Sequence, residues 1–321
     1  MDLEGLILRY YLKVFSIFLF VIIFFIFYSH YILNKKNYFS VNIINISKNE
    51  DIESILYKNF VNLNYFDFVT FKYFYRINAY LNINNIHYGD FYVKNEISFL
   101  EFLDVISKPS NILNKLTIVE GWSEKDLNNE LAKYFKDFDS IDYDEILADT
   151  YYFSKNEDFS KFIERLKSFK KKYLIKNNGN KFFQKYDYKD LLIIGSLVEK
   201  EGLGNLDKMK ISSVINNRLE KNMKLQIDAT VVYAITNGAF DLNRNLKFKD
   251  YKFKHPYNTY IITGLPPSPI AYVGTNTIDI ILKNYKSDFL FYFYNNALNK
   301  HIFSRNFDEH KKKLNDFRQK K

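Results

Sequence analysis

The chain has 321 residues, 47% of them hydrophobic, which is enough for one large or two modest cores and excludes a disordered protein. Its net charge of +9 comes from Lys and Arg interspersed with Asp and Glu, so a solvated lysine-rich surface is expected rather than a nucleic-acid interface. The absence of cysteine excludes disulfides, thiolate metal sites and a cysteine nucleophile, and the five histidines show no close pair at metal-ligand spacing, so neither metal nor cofactor is expected.

The first element is an apolar run. Between Lys13 and Lys35 there is no charged residue, and Val14 to Leu33 meets the roughly 20 residues that a bilayer-spanning helix needs. A cleaved signal peptide would carry a shorter apolar region and a small-residue cleavage site, whereas Tyr28, Ser29, His30 and Tyr31 follow here. A transmembrane helix over residues 14–34 is therefore expected, after a short cytoplasmic tail over residues 1–13. Arg9 and Lys13 before it are balanced by Lys35 and Lys36 after it, which leaves the positive-inside rule nearly silent on orientation.

Val41 to Ser47 alternates as a strand would, and Asp51 to Leu63 has Ile52, Ile55, Leu56 and Phe60 at helical spacing, with Ser47 and Asn49 as candidate caps. A helix over Phe66 to Leu81, a turn at Tyr88-Gly89-Asp90, a strand over Phe91 to Val93 and a helix over Ile97 to Ile106 complete a small α+β module, residues 41–110. Beyond it, residues 111–321 read as a mixed α/β domain, making the whole chain α+β in class. Leu116 to Glu120 is expected as a strand, Ser123 and Asp126 as a capping box for a helix reaching about Phe135, and Phe159 to Leu174 as a basic helix. Further helices are expected over Asp190 to Glu201, Lys208 to Glu220 and Thr277 to Tyr285. Leu225 to Asp228 reads as strand-like, Gly264 to Pro269 as a turn, and Phe289 to Phe293 with His301 to Phe303 as a hairpin.

The segment Leu191 to Gly202 is apolar nearly all round a helical wheel, yet ends in Glu199-Lys200-Glu201. Two residues apart, the glutamates point in different directions and cannot form a facing acid pair. Glu199 shares its face with Leu192, Gly195 and Ser196, whose small size would leave room for a sugar, so Glu199 is expected to face a cleft. The bland alternative is a helix end reaching solvent. Asn217 and Arg218, then Gln226, Asp228 and Thr230, then Tyr257, Asn258 and Thr259 supply the amides, hydroxyls and rings that suit a pyranose. Taken singly, each is equally a turn former, a cap or an ion-pair partner.

At these residues the chain resembles the endolytic murein transglycosylase family, also called MltG or YceG-like. The motifs occur in order: Gly195-Ser196-Leu197-Val198-Glu199-Lys200-Glu201, then Asn217-Arg218-Leu219, then Met223 to Tyr233, then Tyr257 to Tyr260, then Gly264 to Pro267, then His301 to Ser304 and Glu309-His310. Upstream, Val119 to Trp122 and Asp149 to Tyr151 fit the same order. Ala229, Ser268 and Val273 depart from the family pattern, standing where Pro, Gly and Pro are usual.

The resemblance implies an extracytoplasmic enzyme held at the inner membrane, with a LysM-like module at residues 41–110 and a catalytic domain at 111–321. It implies cleavage of the bond between N-acetylmuramic acid and N-acetylglucosamine in peptidoglycan glycan strands, without water. The muramic 6-hydroxyl attacks C1 to leave a 1,6-anhydro end, so one glutamate can act first as acid and then as base. Glu199 is expected in that role, with Glu201 as the alternative or as a neighbour that tunes it. Ser196, Asn217, Arg218, Gln226, Asp228, Thr230, Tyr257, Asn258 and Thr259 would bind substrate or support the site. Peptidoglycan synthases are the partners that the family suggests. The competing function is a non-catalytic, membrane-tethered peptidoglycan-binding or scaffold protein.

Overall fold

The structure is a computed structural model describing residues 3–39, 42–81, 83, 85–155 and 157–319. It divides into two compact units, one formed by residues 1–114 with 152–157 and the other by residues 115–151 with 158–321.

The first unit opens with helix α1 (Leu3–Asn34), whose stretch Arg9–Asn34 is long and apolar enough to cross a membrane and is unburied along that window. Its last turn is different: Ile32 and Leu33 are buried among the residues of the unit's core. Strands β1 (Lys36–Tyr38) and β2 (Ile43–Ile46) follow, then α2 (Ile52–Asn59) and α3 (Tyr65–Tyr80), then β3 (Gly89–Tyr92), β4 (Glu96–Ser98) and α4 (Phe99–Ile106). β1 pairs antiparallel with β4, and β2 with β3. The core is aromatic, with Phe71 stacked on Phe99 at 4.1 Å between ring centres and Phe39, Phe60 and Phe102 closing around them. Helices and short strands thus alternate between Ile43 and Ile106 within the first unit, and the expected strand start at Val41 lies outside the described residues.

Local chemistry moved several boundaries. The cap of α2 is Asp51, which accepts from the Ser54 N–H at 3.0 Å, and not Ser47 or Asn49. The run from Ile97 splits because Ser98 and Glu101 form a reciprocal capping box, which ends strand β4 and starts α4 at Phe99.

Strands β5 (Leu113–Thr117) and β6 (Thr150–Ser154) form a two-stranded sheet. The second unit contains α5 (Glu124–Leu131), capped by Ser123 with Asp126 as expected, α6 (Phe159–Lys176), α7 (Tyr188–Glu201), α8 (Asn205–Glu220), α9 (Asp228–Thr236) and α10 (Thr275–Leu282). The hairpin β7 (Phe291–Asn295) and β8 (Lys300–Ser304) is antiparallel, and α11 (Phe307–Gln319) closes the chain. α7 is the central helix, buried from Leu191 to Val198. The strand expected over Leu225 to Asp228 is replaced by a turn: Gln226 adopts φ 51°, which breaks an extended run, and α9 starts at Asp228.

Gly195 explains how α7 can be so deeply packed. A Cβ there would lie 2.7 Å from Val273 Cγ1, so the glycine admits the neighbouring segment against the helix backbone. Gly195→Ala is expected to cost about 1–3 kcal/mol through overpacking, read as a lower denaturant midpoint with an unchanged slope.

Candidate active site

Glu199 and Glu201 end the same helix in opposite surroundings. The Glu199 side chain is 2% exposed, and although the residue's backbone reaches solvent, its carboxylate does not. One carboxylate oxygen accepts from Lys208 Nζ at 2.5 Å and the other from the Gly274 N–H at 3.2 Å, while Lys208 also donates to Thr277 Oγ1 at 2.9 Å. This ion pair ties α7 to α8 and to the start of α10. The expectation that Glu199 faces open space differs from this geometry, and the reason is physical: its small neighbours are occupied by packing. Gly195 receives Val273, and the buried Ser196 hydroxyl accepts from the Ile270 N–H at 3.1 Å while donating to Ile193 O at 2.8 Å.

Glu201 instead opens on a cleft of about 450 Å³, within the roughly 300–1,000 Å³ typical of small-molecule sites. Lys200, Asp228, Tyr233, Phe240 and Asp241 line it with Glu201, which mixes carboxylates and a cation with aromatic and aliphatic surface. Burial raises the pKa of Glu201, and the negative charge of Asp228 raises it further. Three groups oppose that rise: the charge of His301, the Tyr292 hydroxyl donating to the carboxylate at 3.3 Å, and the Ala229 backbone N–H in the first turn of α9. The carboxyl is therefore biased towards its protonated form while keeping donors that receive it once ionised.

The surrounding shell fixes these groups. Tyr292 on β7 meets His301 on β8 edge to face at 5.4 Å, and His301 Nδ1 lies 2.8 Å from Asp207, whose carboxylate also caps the Leu203 N–H at 3.1 Å. Asp228, exposed at the start of α9, accepts from the Tyr260 hydroxyl at 2.6 Å and the Tyr251 hydroxyl at 3.4 Å. Burial and that bond to Asp228 raise the Tyr260 pKa, so its phenol remains a donor at neutral pH.

Of the other residues singled out by sequence, most build the cleft without lining it. Asn217 donates to Ser287 O and Phe289 O at 2.7 and 2.9 Å, holding the strand that leads to Tyr292. Arg218 is buried, donates to Leu290 O at 2.6 Å and Leu225 O at 2.7 Å, and lies over the Phe291 ring. Thr230 and Thr259 are fully buried and share a hydrogen bond at 2.8 Å, and Thr259 also receives the Ile227 and Gln226 N–H groups, so the pair fixes the entry to α9. Asn258, also fully buried, donates to Tyr251 O and Phe253 O. Tyr257 bonds Ser268 Oγ at 2.5 Å and packs on Tyr233. The Gln226 side chain is exposed at the turn before α9. Phe240 and Tyr292 escaped the sequence reading as cleft residues, because aromatics are too abundant in this chain for a single ring to stand out. Among the described residues no cluster of three His, Asp or Glu side chains has the spacing of a metal site.

Residues 41–316, most of the chain, match the model of the YceG-like family. The chain belongs to the YceG-like family. Within the YceG-like family it is 40% identical over 122 residues to the endolytic murein transglycosylase of Bacillus subtilis (strain 168), a stretch covering 38% of this chain and 32% of that protein. It is 33% identical over 124 residues to the endolytic murein transglycosylase of Streptococcus pneumoniae (serotype 2, strain D39), covering 38% of this chain and 22% of that protein. The matched stretches thus span a third or less of these relatives. The crystal structure of a putative yceG-like protein, lmo1499 from Listeria monocytogenes, superposes with a TM-score of 0.54 at 23% identity, over 87% of this chain and 99% of that one. That likeness is one of fold.

Proposed function

We propose that this YceG-like chain is a membrane-anchored endolytic lytic transglycosylase that cleaves the bond between N-acetylmuramic acid and N-acetylglucosamine in peptidoglycan strands, with Glu201 as its single acid/base. The observation that carries the assignment is the contrast at the end of α7: Glu201 opens on the cleft with a raised pKa, whereas Glu199 is sealed in a buried ion pair. The protonated Glu201 donates to the leaving glycosidic oxygen, then accepts the proton of the muramic 6-hydroxyl as that oxygen closes on C1. Burial and, after it, the charge of Asp228 bias the carboxyl towards its protonated form, and Asp228 offers negative charge to the cationic sugar ring as the bond breaks. Tyr233 and Phe240 would meet the apolar faces of the sugars, and Asp241 and Lys200 their rims. The names of the Bacillus and Streptococcus relatives support the reaction class.

The anchor is α1. Ile32 and Leu33 belong to the core of the first unit, so removal of α1 as a leader would take core residues with it. This supports an integral anchor and an extracytoplasmic catalytic domain at the inner membrane, beside the synthases that make new strands. A LysM-like module over residues 41–110 would hold glycan, a reading supported by the order β2, α2, α3 and β3 with β2 paired antiparallel to β3.

Purified glycan strands incubated with the detergent-solubilised full chain should be shortened from within, giving intermediate lengths before disaccharides. Intact strands that co-sediment with folded protein would favour the binding or scaffold reading instead.

The departure at Ala229 predicts a pH effect. Its N–H favours the ionised carboxylate of Glu201, and proline at this first-turn position supplies no N–H. Because the resting acid must be protonated, activity falls as pH rises through its pKa. Ala229→Pro removes a group that lowers that pKa, so the alkaline limb of kcat/KM is expected to move to higher pH, and Tyr292→Phe should move it the same way. An unmoved limb in both would separate Glu201 from the observed ionisation.

A further inference from the structure

Helix α3 carries two apolar faces, and only one has a partner. Phe68, Phe71 and Tyr75 point into the core of the first unit. On the opposite side Phe66, Thr70, Tyr73, Ile77 and Tyr80 fall within an arc of roughly 80° at about 100° per residue. Four of these are large and exposed, from 56% for Tyr73 to 87% for Tyr80. A surface helix normally shows water its polar side, so a second apolar stripe needs an occupant.

The stripe does not stand alone. Phe66, Tyr73 and Ile77 share one groove with Phe25, Tyr28 and Ser29 of α1, so the exposed face of α3 is continuous with the exposed face of the apolar helix. That helix is 32 residues long, and its uncharged stretch from Val14 to Asn34 is close to the roughly 20 residues that a bilayer core needs. Ile32 and Leu33 are already buried in the core of the first unit, so the helix leaves the bilayer just before them, at the turns that share the groove with α3. Tyr28, Tyr31, Tyr73 and Tyr80 are the ring-and-hydroxyl side chains that favour this level, and Arg76 beside the stripe is exposed while paired with Glu53 at 2.9 Å.

We infer that α3 lies in the membrane interface, with Phe66, Tyr73, Ile77 and Tyr80 inserted among the lipids beside the emerging end of α1. The inference rests on reading α1 as a span. It makes the first unit a collar seated on the bilayer: α3 buries its outer stripe in lipid as it buries its inner face in protein.

The lack of cysteine allows a direct test. Single variants Phe18→Cys, Tyr73→Cys, Ile77→Cys and Tyr92→Cys, all at exposed positions, would carry a nitroxide in the full chain reconstituted into phosphatidylethanolamine–phosphatidylglycerol vesicles. Collision with oxygen, which partitions into lipid, is compared with collision with a water-soluble nickel chelate. Phe18 should show the deep-membrane ratio, Tyr73 and Ile77 an intermediate one several-fold above Tyr92. If Phe18 is in lipid while Tyr73 and Ile77 match Tyr92, the span stands and the interfacial helix is refuted. Protection of Tyr73 and Ile77 from both reagents would mean a protein covers the face, which also refutes it. Nickel access at Phe18 would remove the span and the inference together.

Discussion

Replacing Glu201 with glutamine is expected to lower strand cleavage by about 10³-fold, or about 4 kcal/mol of transition-state stabilisation, with the fold intact. The amide keeps the size of the carboxyl and can still accept from Tyr292, but it cannot deliver a proton to the leaving oxygen. Stability should not suffer. The raised pKa of Glu201 means that folding disfavours its ionised form, a penalty absent below the unfolded pKa and growing as pH rises towards the folded one. Glu201→Gln should therefore be as stable as the parent in acid and more stable at neutral pH and above. A variant that is inactive because it is unfolded would show the opposite melting behaviour.

Glu199→Gln should behave in the reverse manner. The Lys208 side chain is 13% exposed and the Glu199 side chain 2%, so removing one charge strands the other in a poorly hydrated place. Loss of a partner in such a pair costs about 3–5 kcal/mol, which for a domain of this size lowers the melting temperature by about 6–20 °C. The double variant Glu199→Gln/Lys208→Met removes both charges and should recover most of the loss, since the pair's own net contribution is small. Residual activity per folded molecule should stay within about tenfold of the parent, because the carboxylate acts on α8 and α10 and not on the substrate. Full recovery of stability by the single variant at any pH would contradict the ion-pair account.

The elements that sequence predicted well are those whose signal is local. α7 and its neighbours follow from apolar periodicity, the hairpin from two aromatic runs, and the cap at Ser123 from a side chain three residues from its partner Asp126. What was not legible depends on contacts distant in sequence. That Gly195 and Ser196 are small suggested space, yet Val273 and Ile270 fill it, and nothing near α7 in the chain announces them. Thr230 and Thr259 looked like sugar ligands because a buried hydroxyl pair and a ligand pair have the same composition; only their 2.8 Å contact separates the two. Asn217 and Arg218 likewise spend their donors on backbone carbonyls about 70 residues away, at Ser287, Phe289 and Leu290. The left-handed turn at Gln226 could not be anticipated from a residue type that seldom adopts it. In this chain, polar residues of fixed geometry mostly shape the walls of the cleft, and the chemistry falls to the few that those walls leave open.

The central claim is a single carboxyl serving an attack from within the sugar, and the end groups of the products test it most directly. Glycan strands digested in oxygen-18 water by the full chain, and analysed by mass spectrometry, should end in 1,6-anhydromuramic acid with no label incorporated, and these ends should vanish with Glu201→Gln. Reducing ends carrying oxygen-18 would mean that water is the nucleophile, and would contradict the account by requiring a second carboxylate in the cleft to activate it.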